Sequence, residues 1–164
     1  QIIDFDDLPL VAMGAITEKS IENRTAQILG QDIFFDDFTL VISTEIGSNN
    51  LIATNGISAL EKINPNDYVI IAGELMEEGK SLATTIIVLS EQYETSNSVA
   101  YLRALFSTKS NGSVTSGATV VEQGLALDNQ DLTKTKRNTA AEYIGFTVDG
   151  ESNKLYATYG SLLP

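Results

Sequence analysis

The sequence predicts an all-β protein of two small tandem units, with one or two short helices. Most segments alternate apolar and polar residues or are short runs of β-branched residues, which is typical of β-strands. Gly, Asn and Asp separate these segments at short intervals, and helical periodicity is sparse. The chain has 164 residues, of which 43% are hydrophobic, enough for one ordinary domain or two very small ones.

The first half of the chain is predicted to hold strands and one helix. Its clearest element is a hairpin of residues 68–76 and 81–89, because the loop 77–80 has glycine where a positive φ is favoured. A helix over residues 57–63 has Ser58 as its cap and Asn64-Pro65 as its stop. The other predicted strands are residues 8–17, with Gly14 as a candidate bulge, 25–29, 32–35 and 38–43.

The second half continues this strand-rich pattern. Residues 143–148 and 154–159 form a hairpin, whose second strand is expected to place Tyr156 and Tyr159 on opposite faces. Residues 130–141 are polar and rich in Thr, Lys and Asn, which allows a loop or a short helix. The remaining predicted strands are residues 98–107, 113–115, 118–121 and 125–127.

The two halves share one order of elements: a strand, a turn, two short strands, an insertion and a final hairpin. This order predicts a tandem duplication, with chance similarity between short β patterns as the alternative. The predicted parts are an N-terminal arm, residues 1–10, and two units, residues 11–92 and 93–164. The aligned segments are residues 83–84 with 157–158, 68 with 143, 27–36 with 119–128, and 14–16 with 103–105.

The composition excludes several classes of function. The chain has no His and no Cys, so hydrolase triads that need these residues and Cys/His zinc or iron–sulfur sites are excluded. Its formal net charge of −12 argues against binding nucleic acid or anionic membranes, and it favours basic partners or divalent cations. No apolar run approaches the roughly 20 residues of a membrane-spanning helix.

Short motifs carry a family resemblance across most of the chain. Phe35-Asp36 and Leu127-Asp128 each end a short hairpin, and Asp67-Tyr68-Val69 leads to Gly73 and then to the residues 82–86, LATTI. This pattern resembles a bacterial family of secreted domains of unknown function. The resemblance implies OB-like β-barrels in tandem, in an exported scaffold without catalytic residues. In the second half Glu142-Tyr143-Ile144 replaces Asp-Tyr-Val, and no glycine is expected at the end of that strand.

Acidic clusters are the candidate metal sites. Asp32, Asp36 and Asp37 surround a predicted turn, and carboxylate oxygens suit Ca²⁺. The alternative is that these side chains hydrogen-bond their own backbone, as aspartates at turns commonly do. We expect no cofactor other than Ca²⁺. Acid–base catalysis by Glu74, Glu77 or Glu78 is disfavoured, because they have the composition of a solvated loop tip.

Aromatic residues are the candidate contacts for a carbohydrate. OB-type barrels bind oligosaccharides on one face, where aromatic rings can stack on the sugar. Alternation within the strands nevertheless predicts that about three in four of these rings lie in the core. The residues considered are Phe34, Phe35, Phe38, Tyr68, Tyr93, Tyr101, Phe106, Tyr143, Phe146, Tyr156 and Tyr159.

The N-terminal arm is the candidate assembly element. Its apolar residues Ile2, Ile3 and Phe5 precede the first predicted strand, and such an arm can add to an open sheet edge of another subunit. The alternatives are a strand folded back on its own unit or a frayed tail.

We therefore expect a non-enzymatic extracellular or cell-surface protein with a structural or adhesive role. Its partners are copies of itself or other surface proteins, and the arm is the candidate element for building a filament. A module that binds carbohydrate or Ca²⁺ in an OB-like groove is the alternative.

Overall fold

The computed structural model describes residues 9–44, 51–109, 113–122 and 138–163. These residues form mainly β-strands, so the all-β prediction is confirmed. The strands are β1 (Leu10–Ser20), β2 (Thr25–Ile28), β3 (Gln31–Phe34), β4 (Leu40–Thr44), β5 (Leu51–Asn55), β6 (Tyr68–Glu77), β7 (Lys80–Val88), β8 (Ala100–Thr108), β9 (Val114–Ser116), β10 (Thr119–Glu122), β11 (Thr139–Phe146) and β12 (Lys154–Leu162), and the helix α1 (Gly56–Lys62) lies between β5 and β6.

Strand pairing joins all of these strands into one sheet that closes on itself twice. In the first ring, β1 pairs with β2, β2 with β3, β3 with β7, β7 with β6, and β6 again with β1. The second ring runs β8, β9, β10, β12, β11 and back to β8. Each ring contains one parallel pair, β3–β7 or β10–β12. The antiparallel pair β1–β8 joins the rings.

Two strands and the helix lie outside the rings. β4 pairs in parallel with β7, and β5 pairs with β4. The helix occurs where it was predicted, but Asn55 is its N-cap residue and makes no side-chain cap bond, so the prediction of Ser58 as the cap was wrong. At the other end, the Lys19 ammonium donates to the carbonyl oxygens of Leu60 (3.3 Å), Glu61 (3.1 Å) and Ile63 (2.7 Å). A cation there satisfies carbonyl groups left unpaired at the helix end.

The buried apolar side chains of both rings form one continuous cluster. Alternation within the strands produces it, since β2 and β3 direct Ala26, Ile28 and Ile33 inward. α1 contributes Ala59 and Leu60 to the same cluster. The two rings therefore share one hydrophobic core.

The same β-bulge occurs in both rings. The register shifts between Ala72 and Gly73 where β6 pairs with β7, and beside Gly145 where β11 pairs with β12. Opposite these glycines, the Thr84 hydroxyl donates to the Ala72 carbonyl, and the Thr158 hydroxyl donates to the Ile144 carbonyl, both at 3.1 Å. Equivalent residues thus perform equivalent roles in the two hairpins.

The observed strand registers correct three expectations. Because Gly145 occupies the position of Gly73, Tyr143 corresponds to Ile71 and not to Tyr68. The glycine expected to be missing from the second half is therefore present. Gly14 is not a bulge: the register shifts of β1 lie between Leu10 and Ala12 against β6, and between Ile16 and Glu18 against β2.

Several predicted elements lie outside the described residues. They are residues 1–8 of the arm with Ile2, Ile3 and Phe5, the strand 125–127, and residues 130–137 of the predicted loop or helix. The end of the last segment is described, and it begins β11 at Thr139. β5 was not predicted at all.

Candidate functional site: a polar groove on the first ring

A groove of about 470 Å³ crosses the outer face of β1, β2 and β3. The same alternation that buries Ala26 and Ile33 turns their neighbours outward, so the floor consists of cross-strand rows of partly exposed side chains. The rows are Glu18–Gln27–Asp32–Lys80 and Ser20–Thr25–Phe34–Leu82.

Two acidic and two basic residues line the groove: Glu18, Asp32, Lys19 and Lys80. The Lys19 ammonium is bonded to the carbonyl groups at the end of α1, so the charges that remain for a ligand are those of Glu18, Asp32 and Lys80. Within the first row, the Gln27 amide nitrogen donates to the Asp32 carboxylate at 3.0 Å. The groove therefore presents an amide, two carboxylates, hydroxyls and one aromatic ring.

The Lys80 ammonium is already paired at the rim of the groove. It lies 3.0 Å from the Glu77 carboxylate, and both side chains are substantially exposed. The hydrogen bond and the charge of Glu77 raise the pKa of Lys80. Lys80 is therefore a cation at neutral pH whose charge is partly compensated, which lessens the attraction of the groove for anions.

In the described residues of the second ring, the row that matches the groove floor carries different side chains. The matching row is Ser107–Thr115–Val120–Lys154. The Glu78 carboxylate, at the tip of the β6–β7 hairpin, accepts a hydrogen bond from Ser107 at 2.5 Å in this row. Glu122 occupies the position in β10 that Phe34 occupies in β3. Each residue follows the row member of its strand, Val120 or Asp32, by two positions. Among the described residues, the combination of Gln27, Asp32 and Phe34 therefore has no counterpart in the second ring.

The three predicted metal ligands have separate roles. The Asp36 carboxylate accepts from the Phe38 backbone N–H at 2.9 Å and from the Thr39 hydroxyl at 3.2 Å, as an aspartate at a turn does. Asp37 lies 3.4 Å from Arg24, and Asp32 lies in the groove. Within the described ranges, no three acidic, His or Cys side chains are grouped closely enough to hold a metal ion. Asp32, Asp36 and Asp37 do not converge on one ion.

Fewer aromatic rings lie in the core than expected. Of the eleven in the described residues, only Phe35, Tyr68, Phe106 and Tyr143 are buried. Tyr156 and Tyr159 lie on the same outer face, because the bulge at Thr158 adds a residue between them. The prediction that about three in four of these rings lie in the core was wrong, because outward strand positions also carry rings.

Two tyrosines in the second ring have altered acidity. Burial raises the pKa of Tyr143, whose hydroxyl has no hydrogen-bond partner within the described residues. Burial, and then the 2.8 Å hydrogen bond to Glu142, raise the pKa of Tyr101. The folded pKa of both hydroxyls lies above the unfolded value of about 10, so the stability that Tyr101 and Tyr143 contribute is intact below pH 10. This contribution is lost as the pH rises through the folded pKa.

Replacing Tyr143 by phenylalanine is expected to increase the free energy of unfolding by about 1 kcal/mol at pH 8, because it removes a buried hydroxyl without a partner. The variant should also lose less stability than the wild type between about pH 10 and pH 12. Urea unfolding across this range measures both effects. Tyr159→Phe, at a side chain that is 47% exposed, is the control and should change neither. A destabilised Tyr143→Phe would show that the hydroxyl has a favourable partner.

The groove residues could not be identified from motifs. Gln27, Phe34 and Lys80 stand in no recognisable pattern, and only the period-two alternation on either side of Leu29-Gly30 signals that some of them share a face.

No helix in the described residues is long and apolar enough to cross a membrane. The chain matches no known family model, no curated protein and no solved structure. The function of this chain is therefore inferred from the chemistry of its groove.

Proposed function

We propose that this chain is a non-enzymatic structural or adhesive protein of the extracellular space or cell surface, and that it binds a neutral carbohydrate in the groove of its first ring. The observation that carries the proposal is the pair of outward rows on β1, β2 and β3, which combine Gln27, Asp32 and Phe34. The proposal joins the adhesive role and the carbohydrate-binding alternative in one site.

The order of strand pairing supports an OB-like reading of each ring. A five-stranded ring with one parallel pair and an excursion between its third and fourth strands has the connectivity of a Greek-key OB barrel. On this reading residues 11–92 and 93–164 are two tandem units. OB barrels bind oligosaccharides across their second and third strands, and these are β2 and β3 here.

The chemistry of the groove suits a sugar. The ring of Phe34 offers an apolar surface to the C–H face of a pyranose, while Gln27 and Asp32 offer hydrogen-bonding groups to its hydroxyls. The volume of about 470 Å³ is in the range of small-ligand sites. The carboxylates of Glu18 and Asp32 repel a phosphorylated or sulfated ligand, which favours a neutral one.

Binding to a glycan array followed by calorimetric titration tests this proposal. Phe34→Ala and Gln27→Ala should each weaken binding about tenfold or more, because each removes a contact worth at least about 1.4 kcal/mol. Phe38→Ala is the matched control, since this ring is 84% exposed and does not line the groove. A Ca²⁺ titration of the same samples tests the ionic alternative. Failure to bind any neutral glycan would contradict the proposal.

Self-assembly is a second candidate function. The observation that favours it is an open sheet edge at β5, which pairs only with β4 among the described strands. The N-terminal arm, with Ile2, Ile3 and Phe5, is the proposed donor strand. Size-exclusion chromatography and negative-stain microscopy of the full chain and of a chain lacking residues 1–10 test it. A full chain that stays monomeric at high concentration would contradict it.

A further inference from the structure

We propose that the open edge of β5 accepts residues 1–8 of a second copy of the chain, so that the copies join head to tail. The inference rests on the proposed self-assembly, and it names the docking site.

The free backbone groups of β5 can be assigned from its pairing. The Gly56 backbone N–H donates to the Thr39 carbonyl at 3.0 Å, in register with the β4–β5 pairs. In an antiparallel pair, alternate residues direct their N–H and C=O groups to the partner strand. The backbone N–H and C=O groups of Thr54 therefore bond to β4, while those of Ala53 and Asn55 point away from β4.

Nothing in the sequence of β5 protects this edge. Natural edge strands commonly carry Lys, Pro or an inward-pointing charge that blocks further pairing. β5 reads LIATN, with no charge and no proline, and the Ile52 side chain is 39% exposed. Five residues are enough to receive a short strand.

The N-terminal segment is a suitable occupant by composition and length. Residues 1–8 contain Ile2, Ile3 and Phe5, which favour extended pairing. The segment starts from Pro9, whose carbonyl accepts the Gly73 backbone N–H at 3.0 Å. Eight extended residues span about 26 Å, against about 17 Å for the five residues of β5.

Another copy offers the segment a longer pairing than the β5 edge of the same chain does. Leu10 and Asn55 lie at opposite ends of one cross-strand row, so four interstrand spacings, or about 19 Å along the sheet, separate them. A segment that follows the sheet to this edge would keep only about two residues to pair with it. We therefore place the acceptor on another copy. The row is Leu10–Ala72–Thr85–Leu40–Asn55.

The nearest alternative within the chain is disfavoured by charge. Beyond Gly73, β6 pairs with β7 alone among the described strands, so β1 could in principle be extended along it. Continued in the register of Leu10 with Ala72, that extension would put Asp4 opposite Glu78 and Asp6 diagonally beside Glu74. Like charges that face each other on adjacent strands are destabilising. β5 has no acidic residue.

Donor and acceptor are different surfaces, so the contact is heterologous and grows into a filament unless its rotation closes a ring. Copies with a formal net charge of −12 repel each other, and added salt should therefore promote assembly.

Two complementary variants test the inference by analytical ultracentrifugation. Ala53→Pro removes an outward N–H without removing a bond to β4, so it blocks the acceptor and keeps the donor. Deletion of residues 1–8 removes the donor and keeps the acceptor. Each variant alone should be monomeric, and an equimolar mixture should form one-to-one dimers and nothing larger. Ala53→Thr keeps the N–H and should assemble like the wild type.

The outcomes distinguish a wrong acceptor strand from a failure of arm-driven assembly. If the deletion abolishes assembly but Ala53→Pro does not, the arm is the donor and the β5 acceptor is wrong. If the deletion has no effect, arm-driven assembly and its acceptor both fail. A mixture that stays monomeric overturns head-to-tail pairing. Circular dichroism checks that Ala53→Pro is folded, and Ile52→Lys, which adds a charge at the same edge, should independently weaken assembly.

Discussion

Replacing Gly73 or Gly145 by alanine is expected to lower the free energy of unfolding by about 3 kcal/mol or more. A Cβ atom at Gly73 would lie 1.9 Å from the Leu82 carbonyl oxygen, and one at Gly145 would lie 1.8 Å from the Tyr156 carbonyl oxygen. Both obstacles are backbone atoms of a paired strand, so no side-chain rotation can relieve the contact. Urea unfolding of the two variants measures the loss.

Two other glycines provide matched controls. A Cβ at Gly14 would meet only side-chain atoms, at 3.5 Å or more, so Gly14→Ala should change stability by less than about 0.5 kcal/mol. Gly150 has φ +82° with nothing within 4 Å, so Gly150→Ala should cost about 1 kcal/mol from its backbone conformation alone. The explanation fails if Gly73→Ala costs no more than Gly150→Ala.

The equivalence of these two glycines also bears on the origin of the chain. Each stands at a register shift in the last hairpin of its ring, opposite a threonine that donates to the preceding carbonyl. A tandem duplication, which the sequence predicts, would produce two rings with the same strand order and the same bulge. If duplication produced them, the two alanine variants should lose similar amounts of stability.

Local patterns were sufficient to predict individual elements. The hairpin expected at residues 68–76 and 81–89 occurs as Tyr68–Glu77 and Lys80–Val88. β6 begins as a run of apolar residues, β7 alternates over most of its length, and the turn contains Gly79 with φ +84°. The information needed for this hairpin lies within one continuous segment.

Pairing between distant segments could not be predicted in this way. The groove depends on the parallel pairing of Asp32 with Lys80, which local alternation does not specify. The predicted alignment of residues 27–36 with 119–128 was wrong for the same reason. Gln31 and Thr119 each begin the third strand of a ring, so the true offset is 88 (119 − 31) and not 92 (119 − 27).

Thr119→Val is expected to lower the free energy of unfolding by about 2–3 kcal/mol, because it removes a buried bridge between the rings. The Thr119 hydroxyl accepts from the Gln31 amide nitrogen and donates to the Leu29 carbonyl, each at 2.7 Å. Valine has nearly the same shape but offers neither bond. The Leu29 carbonyl would then lose a partner inside the protein. Thr17→Val, at a partly exposed hydroxyl 3.2 Å from the Gln27 carbonyl, should cost about 1 kcal/mol or less.

A double-mutant cycle with Gln31→Leu separates this bridge from general damage to the core. The Gln31 amide nitrogen also donates to the Ser116 carbonyl at 2.9 Å, and its amide oxygen is buried without a partner in the described part of the chain. With both polar partners replaced, fewer buried groups are left unsatisfied than in the two single variants together. The double variant should therefore lose at least about 1 kcal/mol less than the sum of the single losses. Additive losses would mean that Gln31 and Thr119 contribute to stability independently, and that their hydrogen bond does not couple the rings.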